Sequence, residues 1–221
     1  MRTTVKICGL RRPEDVEGLA GLDLDAAGFI LVPGRKRTVS MKTASDLVKR
    51  LPRGIASIGV MMDPSEEEVD RWLSAVSFDR IQLHGEESAV FCRRLKERFH
   101  LPIIKVFHIG QKGPVDTPEE YAPWVDGVLL DSSVGDRRGG TGRPFDWEAI
   151  PTVRQQWKKV GVPVWVAGGL HPGNVGELLM RYAPDGVDTS SGVETAGKKQ
   201  RDRMAQFVER VRQYDRQTSL G

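Results

Sequence analysis

Short, β-rich apolar runs recur along the chain at Thr4–Cys8, Ala27–Val32, Ala56–Met61, Arg80–Leu83, Ile103–Phe107, Gly127–Leu130, Val164–Ala167 and Gly186–Thr189. Between them hydrophobic residues fall at helical spacing, as in Ala44/Leu47/Val48/Leu51, Val69/Trp72/Leu73/Val76, Ala89/Cys92/Leu95/Phe99 and Val175/Leu178/Leu179/Tyr182. Most follow the i, i+3, i+4, i+7 rule, which predicts helices with one buried face. Ser65 with Glu68, and Thr117-Pro118 with Glu120, read as capping boxes, the second with proline in the first turn of a short helix. Strict alternation of strand and helix predicts parallel strands. Eight such units in 221 residues predict a closed (β/α)8 TIM barrel, with an open doubly wound sheet as the alternative. The barrel is expected to fill residues 1–221 as a single domain, with 215–221 as a frayed polar tail.

Side chains of a barrel strand alternate between the interior and the surrounding helices, which sorts the polar residues. Val5 and Ile7 are expected outside with Lys6 and Cys8 inside, and Ile81 and Leu83 outside with Gln82 and His84 inside. On strand five the expectation is Ile104 and Val106 outside, Lys105 inside. Leu130 and Val187 then face out, Asp131 and Asp188 in. A barrel filled for stability alone would hold branched apolar residues at such positions. Cys8, His84, Asp131 and Asp188 instead converge from four strands at or near their carboxyl ends, which predicts a pocket.

Glycines add to that picture. Asp131 is followed by the stretch Ser132–Gly142, in which Gly139, Gly140, Thr141 and Gly142 are expected to form a loop lid. Gly168 and Gly169 follow strand seven, and Ser190, Ser191 and Gly192 follow strand eight, where barrels of this class cradle phosphate with backbone N–H groups. Arg37 follows strand two and can present a guanidinium to a second anion, whereas Arg35 and Lys36 read as a solvated basic loop.

Composition narrows the class. Thirty-three Lys and Arg against thirty Asp and Glu leave a net charge of +3, spread along the chain, which speaks against a nucleic-acid surface but not against a local anion site. No apolar run is long enough to cross a membrane or to serve as a signal sequence, and the two cysteines, Cys8 and Cys92, lie far apart. A soluble, cytoplasmic protein is expected. His84, His100, His108 and His171 lack close ligand spacing, so no metal is expected.

Several motifs, in order and spanning nearly the whole chain, resemble the phosphoribosylanthranilate isomerase family: Lys6-Ile7-Cys8-Gly9, Gly28-Phe29-Ile30, Gln82-Leu83-His84-Gly85, Leu129-Leu130-Asp131, Gly139-Gly140-Thr141-Gly142 with Phe145-Asp146-Trp147, Ala167-Gly168-Gly169-Leu170, and Gly186-Val187-Asp188 with Ser190-Ser191-Gly192-Val193-Glu194. The resemblance implies a (β/α)8 enzyme of tryptophan biosynthesis that performs an Amadori rearrangement of a phosphosugar, with no cofactor. Cys8 resembles the general base and Asp131 the general acid. Arg37 resembles the arginine that holds the anthranilate carboxylate, chosen by its spacing to Val39, with Arg35 as the alternative because the family's usual Ser-Pro-Arg is missing here. Asp188 resembles the acid that contacts substrate near the ring, Gln82 and His84 join the substrate-binding set, and Gly168, Gly169, Ser190, Ser191 and Gly192 resemble the phosphate site. A monomer and a homodimer both fit. Another phosphosugar isomerase would not need both Cys8 and an aromatic-carboxylate anchor, a barrel that also takes a histidine-pathway substrate would resemble a two-aspartate arrangement, and a non-catalytic sensor would have no use for Cys8 and Asp131 together.

Overall fold

The computed structural model describes residues 2–109, 118–134, 137–138 and 147–219. Strands β1 (Thr4–Cys8), β2 (Ala26–Ile30), β3 (Ala56–Met61), β4 (Arg80–Leu83), β5 (Ile103–Ile109), β6 (Gly127–Val134), β7 (Val164–Val166) and β8 (Gly186–Thr189) each pair in parallel with the next. Pairing of β8 with β1, Val5 opposite Val187, closes the ring and excludes the open sheet. Two strands run on past their sequence-predicted ends. β5 continues to Ile109, and β6 continues to Val134, where it pairs antiparallel with Arg137–Arg138. The expected lid residues Gly139, Gly140, Thr141 and Gly142, and the expected cap Thr117, lie outside the described residues.

Helices α1 (Pro13–Glu17), α2 (Met41–Val48), α3 (Glu66–Ala75), α4 (Ala89–Phe99), α5 (Pro118–Tyr121), α6 (Ile150–Lys159), α7 (Val175–Tyr182) and α8 (Arg201–Thr218) surround the ring. Their starts are written locally. Ser40, Ser65 and Ser88 each accept from the backbone N–H three residues on, and Glu68 reaches back to the Ser65 N–H to complete the capping box. Each helix buries one stripe, such as Val175, Leu178, Leu179 and Tyr182 of α7. Among the described residues no helix is long and apolar enough to cross a membrane.

The core has two layers. Val5, Ile7, Ile81, Leu83, Leu130 and Val187 pack outward against the helices, as alternation predicts. Cys8, Ile58, Ile104, Val106, Leu129 and Trp165 fill the barrel. Strand five therefore runs in the opposite phase to the expected one: Ile104 and Val106 are inside, and Lys105 is outside. The physical reason is a partner supplied by β4's exit loop. Lys105 Nζ lies 2.9 Å from Glu87 Oε2 and donates to the carbonyls of Gly85 and Val106 at 2.7 and 2.9 Å, so its charge is fully compensated in the layer between barrel and helices. Glu87 accepts from the N–H groups of Asp63 and Gly85, which ties the β3 and β4 exits together. Both side chains of the pair are 2% exposed. Lys105→Met is expected to strand the Glu87 carboxylate and lower unfolding free energy by roughly 3–5 kcal/mol, read from urea titration.

A second correction concerns the tail. The chain does not fray at Tyr214; α8 continues to Thr218, because Asp215 is buried and accepts from the Thr3 N–H and hydroxyl at 3.0 and 2.7 Å. Arg212, one turn back, donates to the Thr3 carbonyl at 2.6 Å and pairs with Asp25 at 2.7 Å and Asp215 at 2.8 Å. This clasp lies at the amino ends of β1 and β2.

Candidate active site

At the carboxyl ends of the strands opens a cavity of about 590 Å³. Cys8, Arg37, Gln82, His84, Asp131, Asp188, Gly168, Gly169, Ser190 and Ser191 all line it, so side chains predicted from separate stretches of sequence share one space. Gly192 does not line it. A Cβ there would come within 1.9 Å of the Leu170 carbonyl oxygen, so this glycine lets the two phosphate-type loops pack closely.

Cys8 ends β1, and its neighbour across the ladder is Gly28. A Cβ on Gly28 would lie 2.7 Å from Cys8 Sγ and 3.1 Å from Lys6 Cε, so the missing side chain is what admits both into the barrel. Lys6, fully buried, donates to Asp188 Oδ2 at 2.8 Å from the register position opposite it. Burial pushes the Cys8 thiol above its ordinary value, the Lys6 ammonium works against that rise, Asp188 adds to it and Lys199 opposes it. Burial likewise raises Asp188, with Lys6 pulling it back. Lys6 itself is raised: burial disfavours its charge, but Asp188 and Cys8 together outweigh that penalty and keep it an ammonium.

On the other side, β4 and β6 deliver a chain of three polar groups. Gln82 Nε2 lies 3.0 Å from His84 Nδ1, and His84 Nε2 lies 3.3 Å from Asp131 Oδ2. The corrected phase of β5 adds a residue that sequence reading missed. His108, continuing the inward series of Ile104 and Val106, stacks edge-on to His84 at 5.2 Å between ring centres and donates from Nε2 to the His84 carbonyl at 3.2 Å. Burial, opposed by that carbonyl, lowers its pKa, so the imidazole is neutral at neutral pH. The chain spacing of the histidines hid this: across strands, ligating atoms of His84, His108 and Asp131 come within 4.8 Å of one another, contrary to the expectation of no metal-type grouping.

Arg37 is half-buried and makes a two-pronged bond to Glu194, Nε to Oε1 and Nη2 to Oε2, both 2.7 Å. Lys199 reinforces the pair from 3.0 Å and also donates to the Ser190 carbonyl at 2.9 Å. Burial opposes the Glu194 charge, yet Arg37 and Lys199 hold its pKa at about 2. Arg35 also borders the cavity but is exposed, with Nη2 3.4 Å from Met62 Sδ. Neither Glu194 nor Lys199 received a role from sequence, because Arg37, whose guanidinium Glu194 fixes and Lys199 supports through Glu194, lies 157 residues from Glu194.

The glycine loops are built for backbone presentation. Gly168 and Gly169 take φ of 87° and 67° in succession, a left-handed pair that side-chain-bearing residues rarely adopt. Asn174 Nδ2 fixes the loop by donating to the Gly169 carbonyl, and the Ser190 hydroxyl donates to the Cys8 carbonyl at 3.0 Å, tying this loop to β1. A thiol, a carboxyl group, a buttressed guanidinium and unobstructed main chain thus border one cavity. That set suits proton transfers on an anionic small molecule.

Residues 5–210 match the family model described as N-(5′-phosphoribosyl)anthranilate isomerase. A relative of that name from Brevibacillus brevis is 36% identical over 220 residues, covering 98% of this chain and 97% of the relative. Another from Nitrosomonas europaea is 37% identical over 213 residues, covering 96% of each. The crystal structure of phosphoribosyl anthranilate isomerase from Thermotoga maritima superposes with a TM-score of 0.81 at 30% identity, covering 96% of this chain and 99% of that one. A solved phosphoribosyl anthranilate isomerase in complex with reduced 1-(o-carboxyphenylamino)-1-deoxyribulose 5-phosphate superposes at 0.77 with 29% identity and the same coverage.

Proposed function

This chain belongs to the N-(5′-phosphoribosyl)anthranilate isomerase family of tryptophan biosynthesis, and on that premise we propose that it performs the Amadori rearrangement with Cys8 as general base and Asp131 as general acid. Asp131 gives a proton to the ribose ring oxygen as the C1′–O bond breaks, leaving an iminium. Cys8, as thiolate, takes the proton from C2′, and the resulting enolamine tautomerises to the amino-ketose. Every proton and electron pair stays within substrate and protein, so no external oxidant or reductant enters. The observation that carries this reading is the shared cavity: the thiol from β1 and the carboxyl group from β6 border one space that also meets the Gly168-Gly169 and Ser190-Ser191 loops.

The remaining residues take roles around that pair. Main-chain N–H groups of the two loops receive the phosphate. Asp188 keeps one oxygen on Lys6, and its Oδ1, buried with no partner among the described residues, is suited to accept from a ribose hydroxyl. His84 and Gln82 hold the Asp131 carboxyl in position. Arg37, rather than the exposed Arg35, receives the anthranilate carboxylate, because Glu194 already fixes its guanidinium and leaves Nη1 for a second anion.

Two measurements test the reading. Purified protein is expected to abolish the fluorescence of N-(5′-phosphoribosyl)anthranilate with turnover, and no loss would point to a phosphate-ligand sensor instead. Arg37→Ala is expected to raise KM about ten- to a hundredfold with kcat little changed, the cost of one charge-assisted anchor remote from the reacting atoms. Lys199 still neutralises Glu194 in that variant, so the fold survives. A change confined to kcat would move the anchor elsewhere.

A further inference from the structure

We infer that His84, His108 and Asp131 form a binding site for a divalent cation of the zinc type, and that a cation held there blocks the isomerase. Two zinc ligands at about 2.1 Å and the tetrahedral angle stand about 3.4 Å apart, and His84 Nε2 and Asp131 Oδ2 are already 3.3 Å apart. His108 is prepared from the other side. Its Nε2 donates to the His84 carbonyl, which fixes the proton on that nitrogen and leaves the lone pair on Nδ1. That Nδ1 is buried with no hydrogen-bond partner among the described residues. An imidazole bonded to a backbone carbonyl through one nitrogen and to the ion through the other is the usual arrangement around protein-bound zinc.

His84 needs one adjustment. Gln82 presents Nε2 to His84 Nδ1 while its own Oε1 is buried and unpartnered. Turning that amide by half a turn places Oε1 on a protonated Nδ1, satisfies the orphaned oxygen, and leaves the Nε2 lone pair to the cation. Two imidazoles and one carboxylate are a donor set for zinc, copper or nickel rather than for magnesium or calcium, and the cavity supplies room for a water as fourth ligand. The blockade rests on the proposed function, since a carboxylate bound to a cation cannot deliver its proton to the ribose. The binding does not.

The test titrates chelator-dialysed protein with zinc chloride against a chromophoric zinc indicator, and follows turnover separately. One zinc per chain is expected. His108→Gln, with an unchanged circular dichroism spectrum and intact turnover in the absence of zinc, is expected to weaken binding at least about tenfold, the least that loss of even an outer-shell partner costs. It should lose zinc inhibition in step. Cys8→Ser is expected to bind zinc as the parent does. Absence of stoichiometric binding, undiminished binding by His108→Gln, or binding lost only in Cys8→Ser would each overturn the site, the last by moving the cation to the thiol. Full turnover at saturating zinc would overturn the blockade and remove Asp131 from the acid role, with the indicator titration still reporting on the site itself.

Discussion

Replacing Cys8 by alanine is expected to lower kcat by at least about a hundredfold, the lower end of what a positioned base contributes. The cavity can accept the loss without rearranging. Cys8 sits over the gap left by Gly28, and the Lys6–Asp188 pair beside it keeps its own bond at 2.8 Å. Substrate binding through the loops and Arg37 should therefore persist, and KM should move little. The same residue has its own pH signature. Because burial raises the thiol, the thiolate is the minor form at neutral pH, and its share grows by about tenfold per pH unit until the folded-state pKa is reached. The rate at which iodoacetamide alkylates Cys8, taken as the difference between parent and Cys8→Ala, is thus expected to climb from neutral into alkaline pH. Near-normal turnover in Cys8→Ala would take the base role away from this residue.

Asp131→Asn is expected to cost kcat at least about a hundredfold as well, because the amide has no proton to give to the ring oxygen at a comparable pKa. Shape is preserved: the asparagine oxygen can still accept from His84 Nε2, which lies 3.3 Å from the carboxylate in the parent. A fall in kcat with an unchanged unfolding midpoint would separate chemistry from folding. Equal losses in stability and rate would instead make Asp131 a structural acid at the end of β6, and steady-state kinetics beside urea titration distinguishes the two.

How much of this was legible depends on whether a segment has two chemically different faces. β4 does: Ile81 and Leu83 pack on helices while Gln82 enters the cavity, and plain alternation finds it. β5 does not, since Ile103, Ile104, Val106 and Phe107 are apolar on both faces, and the single lysine between them was the only cue to phase. It misled, because Lys105 has its partner in Glu87, which no local pattern announces. His108 was lost with it. The Arg37–Glu194–Lys199 cluster was invisible for a related reason: Glu194 and Lys199 face each other across a short antiparallel pairing, but Arg37 reaches them only when the barrel closes and brings the β2 and β8 exits together. Helix starts, by contrast, were readable where the whole interaction fits in four residues, as at Ser65–Glu68. The stretch around Gly139–Gly142 lies outside the described residues, and its lid role stays a proposal.

The Arg212–Asp215 clasp on Thr3, Asp23 and Asp25 joins α8 to the first strand at the rim opposite the cavity. Thr3 and Asp215 stand 212 positions apart, so the latch on β1 closes only once residues 201–218 have joined the ring. It also separates durability from the cavity, so substitutions in the latch are expected to change the unfolding midpoint without touching the side chains that line the opposite rim.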